Sequence, residues 1–191
     1  MEVDMKTLLE IGDLAPDFSL VGTDGLIYGI NQYKGYRAIV LFFTCNLCPY
    51  VRGSEEYLRA LVGEFHKKGV AFLGINPNNE GEDTYEQMIA LMEEHKFPWR
   101  YLHDPMQQIA KRYGALATPQ FFLFDHHRML VYKGRALNNP RAPEKSTRED
   151  LKEALTELLD LRPITISETD PVGCTIKWNE ALQDSKELLH I

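Results

Sequence analysis

The chain has 191 residues, 44% hydrophobic and 26% charged, with a formal net charge of −7, which is enough sequence for one well-buried core and short for two. An acidic balance with no basic cluster argues against an electrostatic grip on nucleic acid or anionic lipid, so the expected partners are proteins or small molecules. Three cysteines are too few to staple a secreted domain, Met1 to Lys6 carry no signal-length apolar run, and nothing downstream approaches a membrane span, so the chain as given reads as cytoplasmic.

In chain order, residues 1–15 read as a lead-in. Asp17–Val21 and Leu26–Tyr28 flank Gly22-Thr23-Asp24-Gly25, a hairpin signal. Ala38–Phe43 is six apolar residues in a row, rich in β-branched and aromatic types, and predicts a central strand buried on both faces. Leu58, Leu61, Val62 and Phe65 fall at i, i+3, i+4 and i+7 on a helix ending near Lys67-Lys68-Gly69. Gly53 inside that helix costs about 1 kcal/mol relative to alanine.

Val70–Ile75 predicts a second buried strand, broken by Asn76-Pro77-Asn78-Asn79. Tyr85, Met88, Ile89 and Met92 mark a helix whose methionines are core rather than a cofactor site. A strand over Phe97–Leu102 follows, then Asp104-Pro105 as cap and first residue of a short helix ending near Gly114. After Thr118-Pro119, Gln120–Asp125 and Met129–Tyr132 form a second hairpin turning at His126-His127. Asn138–Lys145 is a loop, and Ser146-x-x-Glu149 reads as a capping box before Leu151, Ala154, Leu155, Leu158 and Leu159. The alternation of strands and helices implies βα units and a partly parallel sheet, a single domain with its core over about residues 10–161 and an irregular tail over 162–191.

The chemistry sits where the central strand ends. Cys45 and Cys48 stand two residues apart at the predicted strand-to-helix turn, with Pro49 fitting the first helical turn. Unpaired helix N–H groups and the positive end of the dipole favour a thiolate there, so the first cysteine is expected to fall below the free value of about 8.5. The spacing permits a small disulfide ring in which Cys45 attacks and Cys48 resolves. A structural zinc site is the competing reading, but it needs four ligands. Only Cys174 remains, and the six histidines show no matching spacing. Arg52, one turn past Cys48, is either an added positive charge or a solvated surface arginine. Cys174, in Gly173-Cys174-Thr175-Ile176-Lys177-Trp178, is either a third thiol or a small buried hydrophobe.

A buried strand, a CxxC at a helix start, and Thr118-Pro119 before a hairpin and a C-terminal helix resemble, in that order, the thioredoxin fold. That likeness implies a three-layer α/β/α sandwich with a mixed central sheet. It also implies a cis Thr118-Pro119 peptide facing the dithiol as a backbone platform for a bound substrate strand, with Thr44 beside it. The stretch between Cys48 and Pro119 exceeds thioredoxin's by a helix and a strand, assigned to residues 81–103. With the N-terminal hairpin, this is similar to the branch of peroxiredoxins and TlpA/ResA-type oxidoreductases. Cys45-Asn46-Leu47-Cys48-Pro49-Tyr50-Val51 and the Gly173–Trp178 tail resemble the uncharacterised peroxiredoxin-like proteins of the AhpC/TSA-redoxin type.

Departures from those patterns are specific. Thioredoxin's tryptophan before the first cysteine is Thr44 and its Gly-Pro is Asn46-Leu47; the peroxidatic Pro-x3-Thr-x2-Cys motif is matched at neither cysteine. Arg135 is a candidate cation in its place. The leading expectation is a thiol-disulfide oxidoreductase with no cofactor beyond its Cys45–Cys48 disulfide, no metal, and protein or small-molecule disulfides plus a thiol reductant as partners. A peroxiredoxin-like thiol peroxidase is the alternative. A lesser one is a copper protein resembling the Sco family, whose cysteines are three residues apart and whose histidine is replaced here by Ala117-Thr118.

Overall fold

A computed structural model describes residues 9–179. The predicted lead-in therefore falls outside the described residues over 1–8, as does the end of the predicted tail over 180–191. The elements are β1 (Leu20–Gly22), β2 (Ile27–Tyr28), β3 (Ala38–Phe43), α1 (Pro49–Gly53), α2 (Glu55–His66) and β4 (Val70–Asn76). They continue with α3 (Tyr85–His95), β5 (Arg100–His103), α4 (Gln108–Tyr113), β6 (Ala117–Thr118), β7 (Gln120–Phe124), β8 (Leu130–Gly134), α5 (Asp150–Leu159) and β9 (Cys174–Thr175).

Seven strands form one sheet in the order β2-β1-β5-β4-β3-β7-β8, with β3, β4 and β5 parallel and the remaining pairs antiparallel. The predicted central strand is central, and its side chains alternate between two cores. Ile39, Leu41 and Phe43 pack with Ile109, Ala110 and Tyr113 of α4 on one face. Ala38, Val40 and Phe42 pack with the α2 stripe and with Leu151, Ala154 and Leu155 of α5 on the other. Each such large side chain withdrawn from water contributes about 1.5–3 kcal/mol, which is why a six-residue apolar run is worth placing between helices. The result is the three-layer α/β/α sandwich with a mixed sheet, an N-terminal hairpin and the α3–β5 insertion.

Four local expectations change. Gly53 ends α1 rather than lying inside a helix: a Cβ there would stand 2.8 Å from the Pro140 carbonyl oxygen, so glycine is what lets the 138–145 loop close over the helix. The capping box does not form. Ser146 Oγ is taken by the backbone of Asn139 instead, and α5 opens at Asp150 with no side-chain cap. The helix predicted from Asp104-Pro105 starts only at Gln108, because Gln107 adopts φ 57° in the left-handed region. Asp104 still serves it, its carboxylate accepting from the N–H groups of Gln108, Ile109 and Ala110 at 3.1, 3.0 and 2.9 Å. Finally, the tail is irregular for most of its length but docked. It runs beside β8, where Thr169 N–H donates to the Lys133 carbonyl, and then crosses to pair β9 with β6.

Thr84 caps α3 by accepting from the Gln87 N–H at 3.4 Å. Thr84→Ala is expected to cost about 1 kcal/mol, read as a lowered denaturant midpoint with an unchanged m-value.

Candidate redox site

The parallel strands β3 and β4 end side by side, and the loops leaving their carboxyl ends build the site. Thr44 N–H donates to the Ile75 carbonyl at 2.8 Å, which extends the ladder one residue and sets Cys45 at the strand's exit. Cys45 and Cys48 lie at the strand-to-helix turn as expected, but Cys45 precedes the helix and Cys48 is its N-cap, so the helix begins only after the second sulfur. The turn between them is pinned at Asn46. Its backbone N–H donates to Asp83 Oδ1 at 2.7 Å, its side-chain amide donates to the Glu82 carbonyl, and its oxygen accepts from the Tyr101 hydroxyl at 2.6 Å.

The Thr118-Pro119 peptide is cis, and Thr118 touches both sulfurs. Its hydroxyl lies 3.2 Å from Cys45 Sγ, and its carbonyl oxygen 3.1 Å from Cys48 Sγ. The edge expected to receive a substrate strand is occupied: Ala117 and Thr118 pair antiparallel with Thr175 and Cys174 of the chain's own tail. The third cysteine thereby joins the other two, near enough that it and Cys48 shift one another's pKa.

Cys45 and Cys48 are both free thiols and nearly sealed, at 6% and 4% exposure, so a reactant must arrive through an opening. The nearest candidate is small: Cys45 and Thr44 line an apolar recess of about 20 Å³ with Phe42, Leu58, Phe97, Trp99 and Pro119, room for about one water, so the recess must widen to admit a reactant. Arg52 lines it too, its guanidinium 3.2 Å from His95 Nε2 and 3.6 Å from Glu55. It is therefore a paired cation at the mouth, neither wholly solvated nor free. Arg135, the other candidate cation, is committed elsewhere: its Nε donates to the buried Asp150 at 2.8 Å.

The two thiols shift one another in opposite directions, and the lowered one is Cys48 rather than the expected Cys45. Hydrogen bonding to Cys48 and then burial push the Cys45 thiol up. The Cys45 hydrogen bond pulls Cys48 down to about 5 against its own burial, helped by the Cys174 thiol and by the N–H groups of Val51 and Cys174. The Thr118 carbonyl opposes a charge on Cys48, since the thiol donates to it at 3.1 Å and this contact favours the protonated form. The largest cause is the interaction between the two thiols, and α1, beginning after the second cysteine, adds its Val51 N–H on the Cys48 side. Because this pKa lies below the free thiol's, its contribution to stability is complete above about 8.5 and is lost as pH falls through about 5. Thiolate absorbance of the reduced protein should titrate once with a midpoint near 5, accompanied by a falling Tm. Cys48→Ser should abolish the absorbance step and flatten the Tm in that window.

Sequence reasoning named the sulfurs, Thr44, Thr118 and Pro119, and missed Asn46, Asp83, Asn78, Tyr101 and Gln107. The available signal was the polar run Asn76–Asn79 at the carboxyl end of a buried strand, where α/β sheets place ligands and reactive groups. Among the described residues, no group of three or more His, Cys, Asp or Glu side chains is arranged to hold a metal ion, and no helix is long and apolar enough to cross a membrane.

A family model described as the AhpC/TSA family matches residues 11–133. The crystal structure of a conserved protein from Geobacillus kaustophilus is similar with a TM-score of 0.82 and 33% identity, covering 91% of this chain and 94% of that one. A hypothetical protein from Sinorhizobium meliloti 1021 gives a TM-score of 0.83 and 31% identity, covering 90% and 96%. Peroxiredoxin Bcp of Escherichia coli K12 is 28% identical over 113 residues, 59% of this chain and 69% of that protein.

Proposed function

The chain belongs to the AhpC/TSA family of thioredoxin-fold, peroxiredoxin-like redox enzymes, and from that premise we propose that it is a thiol-disulfide oxidoreductase in which Cys45 attacks and Cys48 resolves. The observation that carries this reading is the pair of free thiols gathered on Thr118, Cys45 Sγ 3.2 Å from its hydroxyl and Cys48 Sγ 3.1 Å from its carbonyl oxygen, with Cys45 the one that lines the recess. As a disulfide approaches, Cys48 takes the proton from Cys45, and the Cys45 thiolate attacks. One substrate sulfur leaves as a thiolate and the other is held in a mixed disulfide. Cys48 then gives its proton to the departing thiolate and attacks Cys45 Sγ, closing the Cys45–Cys48 disulfide and releasing the second half. With the strand edge filled by β9, an extended peptide has no edge to pair with, which favours a small disulfide. An external thiol then re-reduces the enzyme. A cytoplasmic setting supplies such thiols.

Dithiothreitol-driven turnover of a small aromatic disulfide, run beside insulin reduction, tests the reading. The aromatic disulfide should turn over faster per active site, and activity no better than free dithiothreitol on both would end the proposal.

A second reading, peroxide reduction, is favoured by the peroxiredoxin names of several relatives and by Arg52 at the recess that Cys45 faces. There Cys45 would take one peroxide oxygen as a sulfenic acid, releasing an alcohol or water, and Cys48 would displace hydroxide as water to give the same disulfide. Stopped-flow oxidation discriminates: a rate no higher than that of an ordinary exposed thiolate removes this alternative.

A further inference from the structure

The tail is built to present a sulfur. Thr118, the residue that touches both Cys45 and Cys48, is the register partner of Cys174, which sets the third cysteine beside the buried pair, where it and Cys48 shift one another's pKa. The strand is seated by a close approach that only glycine allows. A Cβ at Gly173 would lie 2.2 Å from the Thr118 carbonyl oxygen and 2.9 Å from Pro119 N. Beyond Cys174 the tail is locked by buried amides. Gln107, fully buried and left-handed at φ 57°, donates to the Lys177 carbonyl at 2.7 Å and accepts from Asn179 N–H at 2.7 Å; Asn78 accepts from Lys177 N–H at 3.0 Å. Ile176 is buried in the core. Holding a non-glycine residue in the left-handed region costs on the order of 1 kcal/mol or more, so this seat is maintained against strain.

We propose that Cys174 is a third redox thiol: the tail strand is a built-in substrate strand that receives the disulfide from the buried pair, as Cys48–Cys174, and offers it to an external thiol. This rests on the dithiol reading above. The Cys174 thiolate attacks Cys48 Sγ of the Cys45–Cys48 disulfide. The Cys48–Cys174 bond forms, the Cys45–Cys48 bond breaks, Cys45 leaves as a thiolate, and the proton given up by Cys174 goes to it. No net electrons move, so no additional oxidant is consumed. Cys174 is half-buried where the other two are nearly sealed, which makes it the sulfur that a reductant reaches. The arrangement explains why the fold covers its own peptide-binding edge: oxidation enters at the recess beside Cys45 and leaves by the tail.

The test is a titration of the full chain in glutathione redox buffers, with alkylation, trypsin digestion and mass spectrometry. Trypsin leaves Cys45 and Cys48 on the single peptide 38–52 and Cys174 on 153–177, since the Arg162-Pro163 bond resists cleavage. A Cys48–Cys174 bond therefore joins two peptides, and a Cys45–Cys48 bond stays within one. Wild type should give the joined pair, with fragmentation placing the bond on Cys48. Cys174→Ser should lose it and accumulate the internal disulfide. Gly173→Ala keeps all three sulfurs but lifts the tail, turning a held contact into a tethered one, and should lower the joined product on the order of tenfold. Cys174 fully alkylated at every ratio while the internal disulfide forms, or equal joined product in Gly173→Ala, overturns the relay alone. No disulfide at Cys45 or Cys48 at any ratio overturns the relay and the oxidoreductase reading together.

Discussion

Cys45→Ser should stop disulfide turnover, lowering kcat/KM on the order of 10³-fold or more, because the hydroxyl that replaces the thiol is not a nucleophile at neutral pH. Cys48→Ser should behave differently. Cys45 still attacks, nothing displaces the product, and a one-equivalent burst ends in a trapped mixed disulfide that mass spectrometry detects as an adduct on peptide 38–52. The contrast follows from access and charge acting on different sulfurs. Cys45 lines the recess, and Cys48, with its pKa lowered to about 5, is the more acidic thiol. Losing Cys48 also removes the hydrogen bond that most raises the Cys45 pKa, so the burst in Cys48→Ser should shift to lower pH than thiolate formation at Cys45 in the intact pair allows. If the roles were reversed, with the charged sulfur attacking, the adduct would be trapped in Cys45→Ser instead, and that single result would overturn the assignment.

How much of this was legible in the sequence depends on whether the signal was local. Ala38–Phe43 could be read as a central strand because six apolar residues leave no solvated face, and the α2 stripe because helical spacing is a local pattern. The two sulfurs were equally plain. The direction of their pKa shifts was not, because it depends first on how the two thiols interact and only then on the helix, which starts at Pro49 and so lies beside Cys48. The failed capping box at Ser146 and the displaced start of α4 are of the same kind: a distant backbone took the hydroxyl of Ser146, and Gln107 turned left-handed to hold a tail 70 residues away. Cys174 could be named but not placed, since a two-residue strand paired with Ala117-Thr118 has no pattern of its own.

Asp83→Ala should be the most damaging substitution outside the sulfurs, costing about 3 kcal/mol in denaturant unfolding while leaving every cysteine in place. The carboxylate is 2% exposed and gathers three buried donors: Asn46 N–H at 2.7 Å, Asn76 Nδ2 at 3.2 Å and Asn78 Nδ2 at 3.4 Å. Alanine leaves all three without an acceptor in a space too enclosed to rehydrate freely, and each stranded donor costs about 1–3 kcal/mol, offset in part by no longer burying an anion. Lys177, 3.5 Å away but largely exposed, loses little. The damage reaches the chemistry through two paths. Asn46 is the residue that pins the turn between the cysteines, and Asn78 is one of the two amides that seat the tail. Asp83 also adds a Coulombic push that raises the Cys45 pKa, so its removal should move the Cys45 titration downward even as the loop loosens. Asp83→Asn separates these effects, because it removes the charge but keeps one acceptor oxygen for Asn46. It should recover part of the stability while retaining the downward shift. Unfolding free energies for Asp83→Ala within about 0.5 kcal/mol of wild type would mean that the buried carboxylate does not hold the dithiol loop.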